Sequence, residues 1–128
     1  MTYYFSKTLR GDDFDAAEER VRAALKGAGF GVLTEIDVKS TLKDKIGVEF
    51  RPYKILGACN PELAHKALQA EDRIGALLPC NVILQEVNGG IEAAAVNPVA
   101  SMQAIDNPAL IDIAEAVSAR LRSVIDAL

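Results

Sequence analysis

The chain has 128 residues, a formal net charge of −4, 50% apolar residues and 25% charged ones. That is one domain's worth of chain, long enough to bury about two-thirds of the surface its unfolded form exposes without disulfide staples. The apolar half excludes a disordered chain, and a pI near 5.0 speaks against a nucleic-acid module, which needs clustered Lys and Arg.

Elements follow in chain order. Tyr3, Tyr4, Phe5 and Thr8 predict an opening strand ending at Leu9. Gly11-Asp12-Asp13 breaks it and offers an Asp cap for the next helix. From Phe14 to Ala28 the apolar positions Phe14, Ala17, Val21, Ala24, Leu25 and Ala28 recur at helical spacing, with Asp15, Glu18, Glu19, Arg22 and Lys26 on the opposite face. Gly27 and Gly29 end this helix. The next stretch alternates, with Phe30, Val32, Thr34, Ile36 and Val38 on one face and Leu33, Glu35, Asp37 and Lys39 on the other, the period of a strand covered on one side. Ser40 is expected to cap a short helix through Lys45, stopped near Gly47.

Tyr53 to Cys59 reads as a buried strand, and Asn60-Pro61 then opens a helix to about Gln69, with Asn at the cap and Pro at the first helical position. Cys80 to Val87 and Ile91 to Val96 are strands joined by Asn88-Gly89-Gly90, whose Asn-Gly supplies the positive φ angles of a tight hairpin. Pro98 to Asp106 is a loop or single turn. Asn107-Pro108 starts the longest helix, with Leu110, Ile113, Ala114, Val117, Leu121, Val124 and Leu128 facing inward and Asp112, Glu115, Arg122 and Asp126 facing water. The order β-α-β-(short α)-β-α-β-β-α describes a single α+β domain over residues 1–128, with a mixed or antiparallel sheet and helices packed mainly on one face. The β-α-β steps are equally compatible with parallel pairs, so the strand order stays open.

The first ten residues lack a basic start followed by an apolar stretch and a cleavage site, so no secretory signal is read. The run from Ile74 to Cys80 is broken by Gly75 and Pro79 and is far too short to span a bilayer. Two cysteines fall short of a disulfide scaffold. The expectation is a reduced cytoplasm, with no membrane or nucleic-acid partner.

One oddity recurs. Cys59-Asn60 leaves a strand for a helix, and Cys80-Asn81 enters a strand, so both dipeptides fall at element boundaries. A thiol before a helix N-terminus is acidified by the dipole, and the free N–H groups there can hold an anion. Free cysteines are usually small buried apolar residues, however, and the two Asn equally serve as a cap and a turn-former. A metal is not expected: the cysteines lack Cys-x-x-Cys spacing, and the lone histidine, His65, lies with Lys66 and Gln69 on a polar helix side. His65 as base for a cysteine nucleophile meets the same objection. Glu35 and Asp37 form either a carboxylate pair or a solvated strand face. Gly27, Gly29 and Gly31 match no phosphate loop. Residues 39–54 are locally basic, with Lys39, Lys43, Lys45, Arg51 and Lys54 against Asp44 and Glu49. Such a segment receives an anion or the acidic 12–19 stretch of another copy, or is a solvated face.

The stretches Gly29 to Val38, Tyr53 to Pro61 with its Ile-Leu-Gly-Ala-Cys-Asn-Pro run, and Leu77 to Val82 together resemble domain of unknown function family 302. The resemblance covers nearly the whole chain and implies a compact, dimeric bacterial or archaeal α+β domain with no established activity. It points again to Cys59, Asn60, Cys80 and Asn81. The leading expectation is a homodimeric binding or sensing module in which those four residues line a site for a small polar, sulfur or anionic ligand. A thiol-dependent redox or transfer enzyme using Cys59 or Cys80, and a structural or partner-binding subunit with both cysteines in the core, stand as alternatives. Whether the chain is an enzyme, and which cofactor it uses, stay open.

Overall fold

In the computed structural model, which describes residues 2–128, the alternating stretches become five strands: β1 (Tyr4–Leu9), β2 (Gly31–Asp37), β3 (Tyr53–Cys59), β4 (Cys80–Val87) and β5 (Gly90–Val96). They form one sheet in the order β1-β5-β4-β3-β2, with every pairing antiparallel. Among the described residues, the parallel pairs left open by the β-α-β steps do not occur. β1 and β2, consecutive in sequence, lie on opposite edges, and α1 (Phe14–Gly27) connects them across the full width of the sheet.

The helices are α1, α2 (Val38–Ile46), α3 (Pro61–Ala70), a single turn α4 (Pro98–Ser101) and α5 (Ala109–Asp126). Asp13 caps α1 by accepting the Ala16 N–H at 2.8 Å, which satisfies one of the helix's unpaired donors. α1 buries Ala17, Val21 and Leu25; α5 buries Leu110, Ala114, Val117, Leu121, Val124 and Ile125. These two apolar stripes meet Leu56, Ala58, Val82, Leu84, Ala93 and Ala95 on one face of the sheet. Apolar area removed from water at this seam, at roughly 25 cal/mol per Å², is the main force holding the layers together. A smaller cluster joins α3 to the start of α5 through Ala67, Ile74, Met102, Leu110 and Ala114.

Four local expectations need correction. The face read for β2 is broken at Leu33, where a bulge shifts the register between Val32 and Thr34. Phe30 and Val32 therefore join the core, while Thr34 and Ile36 turn to the other face. Asp37, not Ser40, caps α2: its carboxylate accepts the Ser40 N–H at 3.0 Å, and the helix starts three residues earlier. In the β4–β5 hairpin only Gly89 takes a positive φ, +89°, and Asn88 does not, so the two-residue turn between paired Val87 and Gly90 is not the type I′ turn that needs both. The stretch from Ile74 to Cys80, read only as an apolar run, overlaps a 3-10 turn (Asp72–Leu77) anchored by buried Ile74 and then enters β4.

Candidate functional site

Ala58 pairs with Cys80 and Gly57 with Asn81, so the two Cys-Asn dipeptides, distant in the chain, lie side by side where β3 ends and β4 begins. Alternation along β4 then separates Cys80 from Asn81. Cys59, Asn60 and Cys80 line one crevice, with Phe30, Leu63 and Pro79 in its walls and a volume of about 30 Å³. Asn81 is exposed and faces a different, wider cleft.

Asn60 is buried, and its side-chain oxygen accepts the Leu63 N–H at 3.1 Å, so it caps α3. Cys80 is 8% exposed, and both cysteines are free. Burial, with a lesser contribution from Cys59, pushes the Cys80 thiol up to about 11. A thiol that stays protonated at neutral pH is a poor nucleophile, so a thiol chemistry here falls to the half-buried Cys59. His65 is exposed on α3 and does not line the crevice. Among the described residues no three His, Cys, Asp or Glu side chains are grouped to hold a metal ion.

Glu35 and Asp37 do not act as a pair. Asp37 is the α2 cap, and Glu35 belongs to a cluster on the helix-covered face. There the Lys54 ammonium donates to Glu18 at 2.8 Å and Glu35 at 3.0 Å, and Arg22 donates to the same two carboxylates at 2.9 and 3.0 Å. Burial pushes Glu18 up, but Lys54 and Arg22 outweigh it and hold the carboxyl below its ordinary 4.5. The Glu18 contact raises Lys54 against the smaller opposing effect of burial. Two of the five basic residues of the 39–54 segment thus have ion-pair partners within the chain: Lys54 is taken by this cluster and Lys43 pairs with Glu49 at 2.6 Å.

The larger feature lies on the opposite face of the sheet. A cleft of about 420 Å³ opens over β1, β5 and β4 and is reached by Tyr53 at the start of β3. All three tyrosines of the chain, Tyr3, Tyr4 and Tyr53, line it. Ladder pairing explains the grouping: Tyr4 faces Val96, Ile83 faces Ala94, and Gln85 faces both Glu92 and Tyr53. Small Ala94 leaves the depression between larger neighbours. Gln85 donates to Glu92 at 2.8 Å while accepting from Arg51 at 2.9 Å, and the Arg51 guanidinium stacks 4.4 Å from the centre of the Phe50 ring. The sequence reading missed this cleft except for Asn81. Its signal was the second phase of the strands, Asn81-x-Ile83-x-Gln85 and Glu92-x-Ala94-x-Val96, which belongs to the face away from the helices.

Sheet, helical layer and cleft define a two-layer α+β domain with one face reserved from the α1–α5 seam. The family model described as Domain of unknown function DUF302 matches residues 5–128, and the chain belongs to that family. The crystal structure of the uncharacterized conserved protein DUF302 from Bacillus stearothermophilus is similar to it, at 29% sequence identity over 98% of each chain and a TM-score of 0.90. No protein with a curated description matches the sequence. No helix among the described residues is long and apolar enough to cross a membrane.

Proposed function

We propose that this domain is a cytoplasmic binding module that takes a small organic ligand into the tyrosine-lined cleft. The cleft's size carries the reading: about 420 Å³ falls within the range of small-molecule sites, roughly 300–1,000 Å³. Aromatic walls and a few placed polar groups, Asn81, Gln85 and Glu92, are the usual composition of such a site. Of the four Cys-Asn residues, Asn81 lies in this cleft. The crevice of Cys59, Asn60 and Cys80 has room for about one water, so ligand contact there requires it to widen.

Thermal denaturation of wild type and Tyr53→Ala, each with benzylamine, benzyl alcohol and benzoate, tests the reading. Stabilisation of wild type by at least one probe, lost in Tyr53→Ala, supports it. No stabilisation, or equal stabilisation of both proteins, overturns it.

A homodimer is the second part of the proposal. Ile36, Ile55 and Ile83 form a continuous row across β2, β3 and β4 on the face away from α1. At its edge Ile36 is 48% exposed and the bulged Leu33 68% exposed. Exposed apolar side chains at a sheet edge suit a self-complementary contact with a second copy. Ile36→Lys is expected to shift sedimentation toward the monomer, and a sedimentation profile identical to wild type would count against this surface.

A further inference from the structure

We infer that the cleft selects a cation, an ammonium group carried on a flat apolar body; the inference rests on reading the cleft as the ligand site. Glu92 is the one charged side chain in its lining, and among the described residues it makes no ion pair. It lies half-buried near the tyrosines.

The neighbouring cations have partners other than Glu92. Arg51 donates to the Gln85 carbonyl and stacks on Phe50 and Tyr53, with its guanidinium 4.4 and 5.7 Å from the two ring centres. Arg10 donates to the Gly89 carbonyl at 3.3 Å. Lys7 lies on the helix side, reaching the Asp126 and Leu128 carbonyls, and Lys54 is held there by Glu18 and Glu35.

Arg51 also sets the orientation of the Gln85 amide. With the carbonyl accepting from Arg51, the NH₂ is turned toward Glu92 and donates to its Oε1. Glu92 is therefore met by a neutral donor, and among the described residues no cation pairs with its carboxyl group. A carboxylate has about four lone-pair sites and Gln85 uses one, so acceptors remain for a ligand N–H. Tyrosine rings line the same cleft, and a ring face attracts a cation through its quadrupole. An anionic ligand would meet Glu92 with no cationic side chain among the described lining residues to offset the repulsion.

Titration calorimetry with benzylamine, benzyl alcohol and benzoate, on wild type and on the isosteric Glu92→Gln, tests this. Wild type is expected to bind benzylamine at least about fivefold tighter than benzyl alcohol, with benzoate weakest, and Glu92→Gln to lose that preference. Added salt should weaken benzylamine alone. Equal affinities in wild type, or the preference surviving in Glu92→Gln, overturn the inference while leaving the cleft as a site. No binding of any probe removes the site and the inference together.

Discussion

The Gln85 side-chain amide donates to Glu92 at 2.8 Å, between residues that stand opposite each other in the β4–β5 ladder. Directly paired positions hold their side chains close enough for such a bond without help from a loop. The pair is thus fixed by the sheet itself, and Arg51, arriving from the residues before β3, sets only the direction of the amide.

Gln85→Leu should leave Glu92 in place but without its orienting donor. Benzylamine affinity is expected to fall, with a stability change of about 1–3 kcal/mol, the usual net value of the two hydrogen bonds lost, to Glu92 and from Arg51. Calorimetry and urea denaturation on the same variant separate the two effects.

Gly57 carries Thr34 and Pro79 across its open side. A Cβ added there would come within 2.0 Å of the Thr34 hydroxyl and 2.7 Å of a Pro79 ring carbon. Gly57→Ala is expected to destabilise the fold by about 1–3 kcal/mol, read from the urea midpoint. Thr34→Ala in the same chain should recover part of that loss, since it removes the nearer clash.

The Glu18–Lys54 cluster predicts an acid-limb signature. Glu18 has a depressed folded pKa, so its contribution is complete above its ordinary 4.5 and is lost as pH falls through the folded value. Lys54→Met should cost roughly 1–2 kcal/mol at neutral pH, between the values for exposed and buried pairs. Denaturation curves of the two proteins should converge as the solution is acidified below 4.5. Lys54 itself acts at the other end: its raised pKa means stability present below 10.5 and lost as pH rises through the folded value.

Alkylation separates the two cysteines. With its pKa near 11 and 8% exposure, Cys80 should resist iodoacetamide in the native protein at about pH 8, while the half-buried Cys59 modifies first. Peptide mapping after a time course checks this. Equal rates would mean the crevice opens far more readily than its packing implies.

Much of the fold was legible because single residues announce it. Asp13 and Asn60 are caps, the stripes of α1 and α5 repeat at helical spacing, and Asn88-Gly89 marks the hairpin. The sheet order was not legible, since alternation says which residues share a face and nothing about which strands are neighbours. The Leu33 bulge was hidden for a related reason: an extra residue reverses the phase without changing residue type. The Cys-Asn dipeptides did come together, yet one residue's difference along β4 sends Cys80 inward and Asn81 outward. The cleft needs Tyr3 and Tyr4 from one edge and Tyr53 from two strands beyond β5, a proximity that no local window contains.

The most direct test of the ligand site is residue-resolved. Nitrogen-15 amide spectra of the protein titrated with benzylamine should move the resonances of Ile83, Glu92, Ala94 and Val96 first, with those of Cys59, Asn60 and Leu63 unchanged. Shifts confined to the Cys59–Cys80 crevice, or no saturable shift in the tyrosine-lined cleft, would contradict the account.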